Sequence, residues 1–563
     1  MPLQPARSAR RARPLLALLL GLTLTAGCAA TVSSDAVTGS GDPAAVAVSG
    51  ATAASGDPSP STSSATTATS ATAATHDDPA DYEWDTAEEV AVALADGATS
   101  AGEGVTVDGD VVTITSAGTY RLKGSLADGQ VVVETDDQGV VRLVLDGVDI
   151  TSSTGAALAV LDAEKVVVIL AAGSQNRLAD AATYVFASAD VDEPNAALYS
   201  AADLTLAGDG ALTVTGRFND GIAGKDGLVI SGGTITVDAT DDGIRGKDYL
   251  VVTGGTLDVT AGGDALKSDN EEDPGLGSVR LAGGTVDLAA GTDGIDAFSS
   301  AVVDGGTLTI AAGDDAIHAE TRVEVNGGTI DISRSYEGLE GTQIVISGGE
   351  ITLVADDDGL NVAGGVDGSG WTQEGGFAAG PAGRGGPGGG PGGEAAVEGY
   401  YAEISGGTLV MDTGGDGLDS NGSLTITGGT LVVNGPLSNG NGAIDVNGEL
   451  LISDAVLLAA GSLGMAETPS ASSEQATLHL QFDSPVAAGT VVRIQASDGT
   501  PVATFEASKS FQSLVFSSPD VVAGTSYEVL TGGNVDGESL GGLYLDPDYS
   551  GGTVIGTVTT ATR

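Results

Sequence analysis

The chain has 563 residues and a formal net charge of −56, from 77 acidic against 21 basic side chains. Such a field repels nucleic acid and anionic membrane surfaces and favours cations, so no nucleic-acid partner is expected. Only 4% of residues are aromatic while 88 are Gly, and the single Cys excludes an intrachain disulfide; thin layers of Val, Ile, Leu and Ala must supply the core.

At the start, Arg7, Arg10, Arg11 and Arg13 precede an apolar run from Leu15 to Leu24. The run is too short to span a bilayer and has the basic flank of an export signal. Thr25-Ala26-Gly27-Cys28 then resembles the lipobox of bacterial lipoproteins, although Thr25 stands where Leu is commoner. Residues 1–27 are therefore expected to be a signal peptide and Cys28 a lipidation site. That would fix the protein by a lipid anchor to the extracellular face of the bacterial cell membrane; plain secretion is the alternative. Residues 28–78 are rich in Ala, Ser and Thr with few large apolar side chains, which predicts a disordered linker. Asp81 to Leu94, with Trp84, is expected to form a short helix capping the first coil of a downstream solenoid.

Residues 79–465 are read as that solenoid. Strand-like runs such as VTVDGDVVTIT and VRLVLDGVDI lead into a repeat of 22 residues between Asn219 and Asp445. Its cleanest copy is LVISGGTITVDATDDGIRGK, Leu228 to Lys247. Gly-Gly-Thr recurs with Thr at 234, 256, 285, 307, 329, 408 and 430, and Glu350 takes its place once. Units of this length bury too little surface to fold alone, so they must stack. Alternation of inward Leu228, Ile230, Ile235 and Val237 with outward neighbours is the two-residue period of strands. The expected fold is all-β: a right-handed parallel β-helix of about 22 residues per coil, with the second Gly of each pair at positive φ. Two coils are longer, after Asp264 and after Asp358; the second carries a Gly-rich loop over 364–395, where Trp371 and Phe377 are the only large apolar anchors. Residues 466–563 read as antiparallel β-structure capping the helix, with Asp498-Gly499 as a hairpin turn.

Stacking turns each repeated position into a column. Before each Gly-Ile or its equivalent lies an acid: Asp220, Asp242, Asp264, Asp293, Asp315, Glu337, Asp358, then Asp416. Carboxylates about 5 Å apart repel unless a cation or water separates them. Oxygen-rich turns of this kind suit Ca2+, and Asp269 and Asp296 on the same coils extend the candidate ligand set. The alternative is that each Asp accepts hydrogen bonds from its own turn amides without metal. The column after each inward Ile or Leu reads Ala223, Arg245, Lys267, Asp296, His318, Glu340, Asn361, Asp419, and three residues after the Ile or Leu stand Lys225, Lys247 and Asp269. Lys225, Arg245, Lys247 and Lys267, with His318, form a candidate carbohydrate-binding strip for a uronate carboxylate. Equally, these bases could simply balance the acids.

The ordered set of motifs, Asn219-Asp220-Gly221-Ile222, Asp241 to Asp248, Gly262 to Asn270, the Gly-Gly-Thr corners, the Gly-rich loop and the terminal strands, resembles bacterial carbohydrate-binding β-helix proteins that are themselves similar to pectate-lyase-type polysaccharide lyases. The resemblance covers residues 100 to 535. It implies binding of cellulose and of acidic sugars such as polygalacturonate, with calcium sites and no established catalysis. Two alternatives stand beside it. One is a lyase in which calcium acidifies a proton and Lys267 or Arg245 removes it, or a hydrolase using a pair among Asp293, Asp296, Asp314 and Asp315. The other is a purely structural surface rod or adhesin.

Overall fold

A computed structural model describes residues 75–561, apart from 187, 189, 190, 274, 365–394 and 546. The expected signal peptide, Cys28, the linker up to residue 74 and nearly all of the Gly-rich loop, with Trp371 and Phe377, lie outside the described residues.

Each regular coil holds three strands. In the cleanest repeat they are Gly227–Ile230, Thr234–Ala239 and Ile244–Gly246, and each pairs in parallel with its equivalent one unit later: Leu228 with Leu250, Ile235 with Leu257, Ile244 with Leu266. The result is three parallel ladders side by side, an arrangement compatible with a β-helix. In Thr234–Ala239 burial alternates, with Ile235, Val237 and Ala239 turned inward. These inward columns merge into one apolar core running from Val92 to Ala459. At the corner between the first two ladders the second Gly of each pair has positive φ, +94° at Gly233 and +93° at Gly255. A Cβ at Gly255 would meet the Gly233 carbonyl oxygen at 2.9 Å, so both backbone shape and stacking distance require Gly. The lengthened coils leave the ladders in phase, since Leu266 pairs with Ile295 and Leu360 with Leu418.

The first ladder departs from simple alternation. Outward-facing Val167, Thr205, Val229 and Val251 are also buried, and residues 76–84 lie along this face. His76 donates its backbone N–H to the Tyr249 hydroxyl at 2.8 Å, Lys165 Nζ reaches Asp81 at 2.7 Å, and Tyr82 and Trp84 pack on Val144, Val167 and Ile169. The expected cap helix over Asp81 to Leu94 does not form. Two single 3₁₀ turns, Pro79–Tyr82 and Thr86–Glu88, each capped by an Asp side chain, lead into the strand Val90–Leu94, which pairs in parallel with Gly118–Leu126. The reason is local: Val90, Val92 and Leu94 carry a period of two, and the open edge of the first coil offers backbone partners that a helix could not use.

At the other end Val456–Gly461 pairs antiparallel with Phe511–Ser517, which also pairs with Thr477–Val486. A six-stranded antiparallel sheet completes this end, and Asp498-Gly499 turns the hairpin between Val491–Ala496 and Pro501–Glu506. Phe482, Phe505 and Phe516 centre a second core that includes Val432 and Leu458 of the last coils.

Candidate functional site

The third ladder is built from strands of mostly three residues, as in Ile244–Gly246, Leu266–Ser268 and Ile295–Ala297. Ile or Leu points into the core and the next residue points out. Backbone pairing aligns these outward residues in register: Ala223, Arg245, Lys267, Asp296, His318, Glu340, Asn361, Asp419 and Asp445. The acidic turn residues stack beside them.

Most of the turn acids carry a structural duty that differs from the expected one. Asp242 Oδ1 accepts from the backbone N–H of Asp264 at 3.1 Å, Asp264 Oδ1 from Asp293 at 3.0 Å, Asp293 Oδ1 from Asp315 at 2.9 Å and Asp358 Oδ1 from Asp416 at 2.6 Å. The amide belongs to the next coil rather than to the residue's own turn, because parallel stacking sets that N–H above the carboxylate. One oxygen of each Asp is thus committed to coil-to-coil capping, and the other faces its neighbours in the column.

How that second charge is met changes along the axis. In the upper coils the cations are built in. Lys267 Nζ touches Asp264 and lies 3.6 Å from Asp242 and 3.3 Å from Asp296. Burial opposes its charge, but Asp264, Asp242 and Asp296 outweigh burial and hold its pKa above the usual lysine value. His318 Nδ1 lies 3.1 Å from Asp296 Oδ1; burial again opposes, and the Asp296 hydrogen bond raises the imidazole to about 10. Asp296 in turn sits below its ordinary range despite its burial, held there by His318 and Lys267. Arg245 clasps both oxygens of Asp269, with its shortest contact 2.7 Å.

Farther along the ladder, carboxylates gather together. Asp315, Glu337 and Glu340 each bring a carboxylate oxygen within 4.8 Å of the others, and all three are buried. Asn361 Nδ2 donates to Glu337. Asp315 Oδ1 and Asn361 Oδ1 are buried with no hydrogen-bond partner among the described residues. Burial first, then Asp293 and other acids, pushes Asp315 well above the carboxylate range. Burial and the charges of Asp419 and Asp416 bring Asp358 to about 10, and Asp416 and Asp419 stand near 7 and 8, mainly through burial. These groups are costly as bare anions.

The predicted site residues therefore fall into separate groups. Asp242, Asp264, Asp296 and Lys267 meet, as do Asp293, Asp296 and His318, and Asp315 meets Glu337. Asp220 is buried above them, receives Asn195 and Asn219 side-chain donors, and is raised to about 7 chiefly by burial. Asp269 is committed to Arg245, Lys225 pairs with Glu193 at 2.6 Å on the surface, and Lys247 makes no ion pair among the described residues. Glu340, Asn361, Asp419 and Asp445 were not singled out as ligands from sequence. Their signal was present: each stands three residues after the turn position, as Lys267 stands after Asp264.

Residues 108–367 match the model of a family described as carbohydrate-binding domain-containing protein. This stretch is similar to a carbohydrate-binding domain. It holds both the self-neutralised coils and the Asp315, Glu337 and Glu340 group. A protein of Acetivibrio thermocellus with that same description is 42% identical over 137 residues, 24% of this chain and 48% of the relative, so the chain spans about half the length of the relative it matches. A solved structure described as the polysaccharide lyase-like protein from C. thermocellum, a gadolinium derivative, is 35% identical, covers 44% of this chain and 94% of its own, and superposes with a TM-score of 0.37.

Proposed function

We propose that the protein is a calcium-dependent polysaccharide-binding protein, lipid-anchored at Cys28 on the bacterial cell surface, whose right-handed solenoid presents its third ladder to acidic glycans such as polygalacturonate or to cellulose. The observation that carries the reading is the all-oxygen group of Asp315, Glu337 and Glu340, three buried residues whose carboxylate oxygens lie within 4.8 Å of one another, in a stretch similar to a carbohydrate-binding domain. The residues present fit Ca2+: a hard cation takes six to eight oxygens from carboxylates, amide carbonyls and water. Asp315 Oδ1 and Asn361 Oδ1 supply the acceptors left without hydrogen bonds. The Asp293, Asp296 and His318 group suits a metal less well, because an imidazole raised to about 10 keeps its proton and acts as a cation itself. Bound calcium would supply a positive point to which a uronate carboxylate can attach. This chain's part is to hold the oxygens, through turns locked from coil to coil, at a fixed spacing along the axis.

The arrangement favours binding over lyase chemistry. A base that removes a proton must be free and unprotonated near neutral pH. Lys267 is held protonated among three acids, and Arg245 is occupied by Asp269. Affinity electrophoresis of the chain lacking residues 1–28, through gels containing polygalacturonate with calcium and again with EDTA, tests the proposal. Retardation that disappears with EDTA is expected. Equal mobility in both gels would refute a calcium-bridged uronate contact, and unsaturated products in the same mixture would replace the binder by a lyase.

A further inference from the structure

We propose that a groove on the opposite flank, closed on one side by Trp84, is a second, metal-independent subsite that takes a single neutral pyranose ring of a glycan chain. The groove has a volume of about 510 Å³ and lies where the N-terminal segment crosses the corner between the first two ladders. Tyr82 and Trp84 form its aromatic side, and Ala171, Ala207 and Gly208 line it together with Val144, Ile169 and Leu170. One lining residue is fixed as glycine by the backbone. Gly208 has φ +100°, and a Cβ there would meet the Leu170 carbonyl oxygen at 2.3 Å.

The indole is held in advance of any ligand. Its N–H donates to Glu89 Oε1 at 2.9 Å, and Glu89 is gripped by Arg121 at 2.6 and 2.7 Å. One side of the segment packs on Val144, Val167 and Ile169, while the indole also lines the open groove. Polar groups rim it. Asp209 is exposed and makes no side-chain hydrogen bond or ion pair among the described residues; Asp146, bound by Arg121 at 3.0 Å and Lys123 at 2.7 Å, stands beyond it. A fixed aromatic ring, an apolar lining of aliphatic and small residues and a free carboxylate acceptor in Asp209 suit a ring that is apolar on its C–H face and hydroxylated at its edge. A uronate would suit it less well, since Asp209, with no cation beside it among the described residues, repels a carboxylate, and the lining Arg121 is already engaged by Glu89 and Asp146. No member of the acidic column lines this groove.

The class of ligand rests on the polysaccharide-binding reading, but the site does not depend on calcium. The test is affinity electrophoresis in EDTA through gels containing hydroxyethylcellulose, a soluble neutral β-glucan, for the chain lacking residues 1–28 and for Trp84→Ala, Trp84→Phe and Asp209→Asn. Trp84→Ala is expected to weaken retardation roughly tenfold, Asp209→Asn by a few fold, and Trp84→Phe by less than Trp84→Ala. Only two Trp residues exist, Trp84 and Trp371, so in Trp371→Phe the fluorescence of Trp84 should change saturably with the same polymer. Calcium-dependent retardation by polygalacturonate should be unchanged in every variant. Absence of hydroxyethylcellulose binding, or binding unaffected by both Trp84→Phe and Asp209→Asn with no change in Trp84 fluorescence, overturns the proposal. Loss of the polygalacturonate effect alone would refute the calcium-bridged contact and leave this subsite standing.

Discussion

The coils up to His318 and the coils beyond it share one backbone, one register and one acidic column, yet they meet its charge in different ways. Above, Lys267 occupies the place among Asp242, Asp264 and Asp296 where a metal would otherwise be needed, with His318 closing the group. Below, Glu340, Asn361, Asp419 and Asp445 stand at the ladder position held by Lys267. A repeat can therefore keep its fold while a single column sets whether a coil brings a base or a further acid to its turn carboxylates.

Converting one half into the other gives the largest expected effect. Lys267→Met removes the amine shared by buried Asp242 and Asp264 and half-buried Asp296 and should cost about 3–5 kcal/mol, read by chemical denaturation in EDTA. Millimolar calcium should restore much of that loss in the variant, because the upper coils would then resemble the lower ones. Wild-type protein should itself gain stability with calcium, about 2.7 kcal/mol at a hundredfold excess over Kd for one site. Asp315→Asn combined with Glu340→Gln should remove most of that gain. A calcium gain that survives in this double variant would place the ion elsewhere.

The pH dependence sharpens the same contrast. Asp358, Asp416 and Asp419 have folded pKa values raised to about 10, 7 and 8, so the folded chain holds more protons than the unfolded one above pH ~4. Stability without calcium should consequently fall as pH rises from about 5 to 9. His318, raised to about 10, adds to the same trend: its contribution is present below about pH 6.5 and is lost as pH climbs through its folded value. Calcium should flatten the part due to the lower acids, with proton release detectable in weakly buffered titration, and His318→Gln should flatten only the remainder. The smallest effect belongs to the surface: Lys225→Ala, which removes an exposed pair with Glu193, should change stability by less than about 1 kcal/mol.

Much of this was legible before the structure. The period, the Gly corners and the alternation of apolar residues implied stacked parallel strands, because a unit of that length has no other way to bury its apolar side. Both columns could be written down by counting along the repeat. The helix expected at Asp81 to Leu94 could not be corrected by propensity alone, since the deciding partner was the open edge of Gly118–Leu126, about thirty residues away in the chain. Trp84 gave no sign from its neighbours in sequence that it would lie across Ile169 and Ala207.

The sequence by itself determined the repeat, its inward faces and the identity of each column, because those follow from spacing along one chain. Only the tertiary structure decided which carboxylates are neutralised. That depends on whether an amine such as Lys267 Nζ, reaching across coils, comes within a few ångströms of acids from three different turns. Electrostatic energy in a buried site varies with such distances, and no one-dimensional pattern contains them.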